Sequence, residues 1–231
     1  MAEGVDARRD RTGPARRVLV DALGVGAATG AYALSFGAIA RSTGLSLGQT
    51  CALSLLLFSG ASQFALVGVL GAGGGAVSAA ATAVLLGSRN ALYGLRLASV
   101  LSLSRGRRLV AAQLVIDEST AMSLARTDPA LGRLAFWSTG ISVFLLWNLG
   151  TLVGALGAQA LPSPKALGLD AAVPAAFIAL LAPRLHGGRP WLVALLAGVV
   201  AVALIPLTPA GVPVLGAAAV AAMVALPRSS S

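Results

Sequence analysis

A chain of 231 residues that is 57% hydrophobic and 11% charged, with a mean hydropathy of +0.86, has too little polar surface for a soluble globule. Its net charge of +9 sets seventeen basic residues, all but Lys165 arginine, against eight acidic ones; most of the basic residues sit in a tail and in loops, so they report membrane topology and argue against nucleic acid as the partner. A lone Cys51 and a lone His186 exclude an internal disulfide and the usual metal clusters, and no metal or cofactor is implied.

Uncharged runs at 42–88, 134–164 and 190–227 each exceed the roughly 20 residues that a helix needs to cross hydrocarbon. The period-two alternation of a barrel strand is absent. The fold class is therefore all-α, a polytopic integral membrane protein. Residues 1–17 form a basic tail, expected to be disordered and held in the cytoplasm by Arg8, Arg9, Arg11, Arg16 and Arg17. The first span is 18–40. Asp21 interrupts its start and the apolar run continues to Ala40, which favours a span over a cleaved signal peptide.

The segment from about 104 to 133 carries Arg105, Arg107, Arg108, Arg126 and Arg133 and is expected to be a cytoplasmic loop. An even number of crossings must then separate it from the tail. Three apolar segments lie between: 18–40, about 49–70, and 75–103. Ser88, Arg89 and Asn90 split the third into two 13-residue pieces, each about 20 Å long against a core of about 30 Å. It is read as a re-entrant helical hairpin with its tip, Gly87 to Asn90, facing a site. The alternative is one long tilted helix, which puts the arginine loop outside. Further spans follow at 134–160, 166–183, 191–205 and 211–226, giving about six full spans plus the hairpin. Residues 18–228 form a single transport domain, and 229–231 a C-terminal tail. Gly26 with Gly30, and Gly150 with Gly154, are GxxxG pairs that permit close helix contact.

Polar groups inside such segments mark a pathway or a binding site, because a charge at the centre of a membrane helix costs about 2.5–3.5 kcal/mol on insertion scales. Ser59, Ser62 and Gln63 fall at i, i+3 and i+4, one polar helical face, with Gly60 allowing close approach. A helix break at Gly60 would start a new helix near Ala61, whose N–H groups suit a substrate carboxylate. Hydrogen bonding to neighbouring helices is the plainer use of the same residues. Arg89, Tyr93 and Arg96 share another face, and the guanidinium of Arg89 matches a carboxylate in bidentate geometry. That carboxylate is either the substrate's or the protein's own Asp117 or Glu118, the adjacent acidic pair in "VIDESTA". Asp117 or Glu118 serves as a proton carrier or as an ion-pair partner. Asp21 is a weaker proton candidate, and Arg96 is expected to snorkel toward the cytoplasm.

The stretches "FGAIARSTGLSLGQTCALSLLLFSGASQFALVGVL", "SRNALYGLRLAS" and "IDESTA" resemble the large subunit of the AzlC-type branched-chain amino acid exporters over about residues 20–125. The resemblance implies export of branched-chain or related hydrophobic amino acids, and a separately encoded small membrane subunit of AzlD type. It maps the family's motifs onto Gly60, Ala61, Gln63 and Phe64, onto Arg89 and Asn90, and onto Asp117 and Glu118. Asn90 stands where the family often has histidine, and an amide carries no proton role. The implied place is the bacterial inner membrane, multi-pass, with the N-terminus in the cytoplasm.

Enzyme chemistry is disfavoured. His186 lies among Arg184 and Arg189 on an expected cytoplasmic loop, away from Ser59, and Asp117 and Glu118 point about 100° apart on one segment. No GxxxxGK[ST] motif is present for ATP. A proton-coupled secondary exporter is the reading. A passive channel and a non-transporting scaffold are the alternatives.

Overall fold

The computed structural model describes residues 3–158, 178, 181–182 and 185–225, and the described residues form α-helices and no strand. The helices are α1 (Glu3–Ser42), α2 (Leu47–Leu56), α3 (Ala61–Gly71), α4 (Ala76–Leu101), α5 (Arg105–Gln113), α6 (Asp117–Leu124), α7 (Pro129–Gly157), α8 (Gly188–Leu204) and α9 (Val212–Ala225). Two stretches are long and apolar enough to cross a bilayer, Gly13–Ser42 and Pro129–Gly157. The chain divides into two compact units, Met1–Gly60 with Gly87–Pro162, and Ala61–Leu86 with Ser163–Ser231.

The first unit is organised on α1 and α7. Gly26 lies against Ser142, Gly30 against Leu146 and Gly150, and Gly154 against the Leu34 carbonyl, so small residues let the two backbones touch. Partner numbers rise together along both helices, so the two run parallel with their N-termini at one end. There the Arg126 Nη2 donates to Asp21 Oδ2 at 3.0 Å. Both GxxxG pairs read from the sequence are in this seam.

Against the central turns of α7, α2 runs the other way. Ser54 Oγ donates to Thr151 Oγ1 at 3.1 Å, the Phe58 and Phe144 rings meet at 5.0 Å, and Gly60 faces the Trp147 ring. A capping box starts α2: Gln49 N–H donates to Ser46 Oγ and Ser46 N–H to Gln49 Oε1.

The segment 105–124 folds back on itself beside α7. A Cβ at Gly140 would lie 3.0 Å from Leu114 Cβ, and one at Gly132 would lie 3.2 Å from the Ser123 carbonyl oxygen. The turn between α5 and α6 therefore reaches about 12 Å further along α7 than the end of α6 does. With 9 and 8 residues, α5 and α6 are each about 12–14 Å long, too short to cross.

Several expectations are corrected here. Residues 75–103 do not form a hairpin, because α4 continues without a break through Ser88, Arg89 and Asn90. Ser, Arg and Asn cost at most about 0.7 kcal/mol each in a helix relative to Ala, and here Arg89 and Asn90 find partners, so nothing forces the backbone to turn. The single span expected at 49–70 is instead two helices, α2 and α3, with residues 57–60 non-helical between them. The supposed loop at 104–133 is the helical hairpin α5–α6 and the first turn of α7. The tail at 3–17 continues α1, with Pro14 inside the helix. The span expected at 166–183 falls outside the described residues except at 178 and 181–182.

In the second unit, α8 and α9 pair antiparallel: Arg189 Nη2 donates to the Val224 carbonyl at 3.4 Å, and Gly216 lies against Leu204 and Val200. These helices, of 17 and 14 residues, lie on the segments expected to span at 191–205 and 211–226. The connection turns through Gly211 at φ +99°, a conformation that only glycine adopts without strain, and Ser78 Oγ of α4 donates to Ala210 O at 2.9 Å.

Candidate functional site

Three pieces of the first unit meet at mid-length of α7: the end of α2 with residues 57–60, the α5–α6 turn, and the middle of α4. Gln113 Nε2, at the end of α5, donates to the Leu55 carbonyl at 2.8 Å and ties the first two together. Asn90 Nδ2 of α4 donates to Ser59 Oγ at 3.3 Å. Arg89 Nη2 lies 2.6 Å from Asp117 Oδ2, and Tyr93 OH donates to Asp117 Oδ1 at 2.8 Å. Both Asp117 oxygens are thus engaged by α4, one by a charge-assisted bond.

Local sequence explains each placement. Arg89 and Tyr93 are i and i+4 on α4 and so reach the same carboxylate. Asp117 and Glu118 open α6, where the helix dipole favours negative charge, and the Ile116 N–H donates to Ser119 Oγ at 3.2 Å. Glu118 has no ion-pair partner among the described residues.

Among the polar atoms buried here with no hydrogen-bond partner among the described residues are Arg89 Nε, a cationic donor, and Asn90 Oδ1, a neutral acceptor. Buried polar groups are normally hydrogen-bonded, so a donor and an acceptor left open on consecutive residues call for an explanation. A carboxylate suits the first and an ammonium the second. Gly60, next in the chain to Ser59, faces Trp147, which gathers Tyr32 and Phe36 at ring separations of 6.0 and 6.2 Å, an aromatic wall.

The residues expected at the site divide in two. Ser59, Gly60, Arg89, Asn90, Tyr93, Asp117 and Glu118 lie in the first unit. Ala61, Ser62, Gln63 and Phe64 form the first turn of α3 in the second unit, and all four are buried. Because α3 begins at Ala61, Ser59 stands outside it, and the expected polar face of three is reduced to Ser62 and Gln63. Arg96 is exposed, and Asp21 pairs with Arg126. Sequence reasoning passed over Gln113 and Tyr32. The signal for Gln113 was there, a single amide between Ala112 and Leu114 in a stretch otherwise apolar up to Asp117.

No curated protein and no solved structure matches the chain. The family described as AzlC protein does, over residues 24–161. That family is associated with branched-chain amino acid transport and works with a small partner. The matched stretch is more than half of the chain and contains every residue of this constellation, from Tyr32 to Trp147, and the chain belongs to the AzlC family.

Proposed function

We propose that the chain is the large subunit of a secondary exporter of branched-chain and related hydrophobic amino acids. It acts in the bacterial inner membrane with its N-terminus in the cytoplasm, together with a small hydrophobic subunit of AzlD type. The observation that carries this reading is the pair of open polar atoms, Arg89 Nε and Asn90 Oδ1, beside an aromatic wall. Arg89 takes the substrate carboxylate, Asn90 with Ser59 the ammonium, and Phe36, Tyr32 and Trp147 flank the aliphatic side chain. Ala61, Ser62, Gln63 and Phe64, buried at the start of α3 in the second unit, are kept in this reading as proposed substrate-contacting residues.

Asp117 neutralises Arg89 when substrate is absent, with Tyr93 holding it in place. A substrate carboxylate competes for Arg89, and the released Asp117 or the neighbouring Glu118 takes the coupled proton. Parallel α1 and α7 agree with an even number of crossings between the tail and α7. With 26 residues α4 is about 39 Å long, enough for the return crossing that this reading assigns to it, which leaves 47–71 as the segment that does not complete one.

The test is efflux of preloaded labelled leucine from proteoliposomes holding the chain and its small subunit. Wild type is expected to release leucine faster when a proton gradient is imposed, and Glu118→Gln to release it without responding to that gradient. Absence of efflux of any hydrophobic amino acid sinks the exporter reading. Efflux indifferent to pH and potential indicates a channel.

A further inference from the structure

We infer that the groove between the C-terminal half of α4 and the outer face of α5 is a binding site for an anionic phospholipid, with an acyl chain along the groove and the phosphate on Arg108. The cavity has a volume of about 190 Å³. Gly94, Leu97 and Leu101 of α4 form one wall, and Ala112 and Val115 of the hairpin form the other, with Arg108 at one end.

The groove is shaped by a sharp turn. Ser102 adopts φ +47°, in the left-handed region that costs a non-glycine residue about 1–2 kcal/mol, and it turns the chain between α4 and α5, whose residues line the groove together. Arg108 Nε donates to the Leu103 carbonyl at 3.0 Å within that turn. Its Nε is thereby engaged, and the two Nη groups carry the further N–H donors for a phosphate.

Charge names the occupant. From Gly94 to Ile116 the chain holds Arg96, Arg105, Arg107 and Arg108 and no carboxylate, and all four arginines are exposed. Asp117 is held by Arg89 at the far end of the hairpin. Next to the arginines, Leu109 and Val110 are 78% and 58% exposed, which water would disfavour and a bilayer would not. Arginines at one end of an apolar channel between helices match a phosphodiester headgroup and its chain, as in other basic lipid pockets of membrane proteins.

The experiment is native mass spectrometry of the full chain purified with its small subunit, scoring retained phosphatidylglycerol against phosphatidylcholine. Phosphatidylglycerol is expected to be retained preferentially. Arg108→Gln is expected to lower its retention about fivefold, the equivalent of the ~1 kcal/mol that one arginine contributes near an anionic surface. Ala98→Leu and Ala112→Leu, at exposed positions that line the groove, fill it without changing charge and are expected to lower retention as well, with melting temperatures unchanged. Arg107→Gln, outside the groove, is expected to have the smaller effect. Equal retention of the two lipids, equal effects of Arg107→Gln and Arg108→Gln, or no effect of either leucine substitution overturns the proposal.

Discussion

Ser59 with Gly60, and Ser88 to Asn90, each interrupt an apolar run with small or polar residues, and the two places differ in backbone. At 57–60 the helix ends and a new one starts at Ala61, whereas at 88–90 it runs on through a charged residue. The difference lies in where each polar group finds its partner. Arg89 and Asn90 reach Asp117 and Ser59 with their side chains, leaving the backbone free to remain helical. At 57–60 the interruption is made of backbone: Gly60 disfavours a helix by about 1 kcal/mol, and Phe58 is buried against Phe144. Polarity in a membrane segment therefore announces a site, and the presence of side-chain partners decides whether the chain must also bend.

The largest expected effect comes from removing the partner that keeps 88–90 helical. Arg89→Ala leaves Asp117 without its cation and is expected to abolish leucine efflux. It should also lower stability by on the order of 3 kcal/mol, read from denaturation of the purified protein. Replacing both members, Arg89→Leu with Asp117→Leu, is expected to recover most of the stability and none of the transport. A double variant that transports would reduce the pair to a strut.

Asn90→Leu removes one hydrogen bond and the open acceptor while α4 stays helical. Its expected result is about a tenfold rise in half-saturating leucine, the size of one hydrogen bond of about 1.4 kcal/mol, with the melting temperature changed little. Smallest of all should be Gly60→Ala. A Cβ there would lie 3.5 Å from Trp147 Cη2, an ordinary contact, so the stability change is expected to stay within about 1 kcal/mol. A much larger loss would mean that Gly60, and not the Phe58 and Ser59 contacts, holds the break.

Much of the site was legible. Spacing put Arg89 and Tyr93 on one face, the acidic pair Asp117 and Glu118 stood beside a substrate carboxylate as the candidates for Arg89, and Gly60 marked a helix start near Ala61. α1 and α7 run parallel, the arrangement that the parity argument from arginine positions requires. The hairpin was placed on the wrong segment because hydropathy and charge count polar residues without showing their partners: α4 looked interrupted, and α5–α6 looked like a polar loop. Leu114, Val115 and Ile116 are the buried turn that the arginines of α5 concealed. Three consecutive apolar residues just ahead of an acidic pair were the sign that this stretch dips inward. Asn90 was legible as a polar residue; its bond to Ser59 depends on tertiary placement that no local pattern encodes.

The seam between α1 and α7 has a consequence for how the protein is made. Gly30 meets Gly150, and these two residues are 120 positions apart in the sequence. At a synthesis rate of about 5–20 residues per second, α1 waits about 6–24 s in the bilayer before its partner emerges. During that interval Gly26 and Gly30 face lipid uncovered, and any other small-residue helix inserted nearby competes for them.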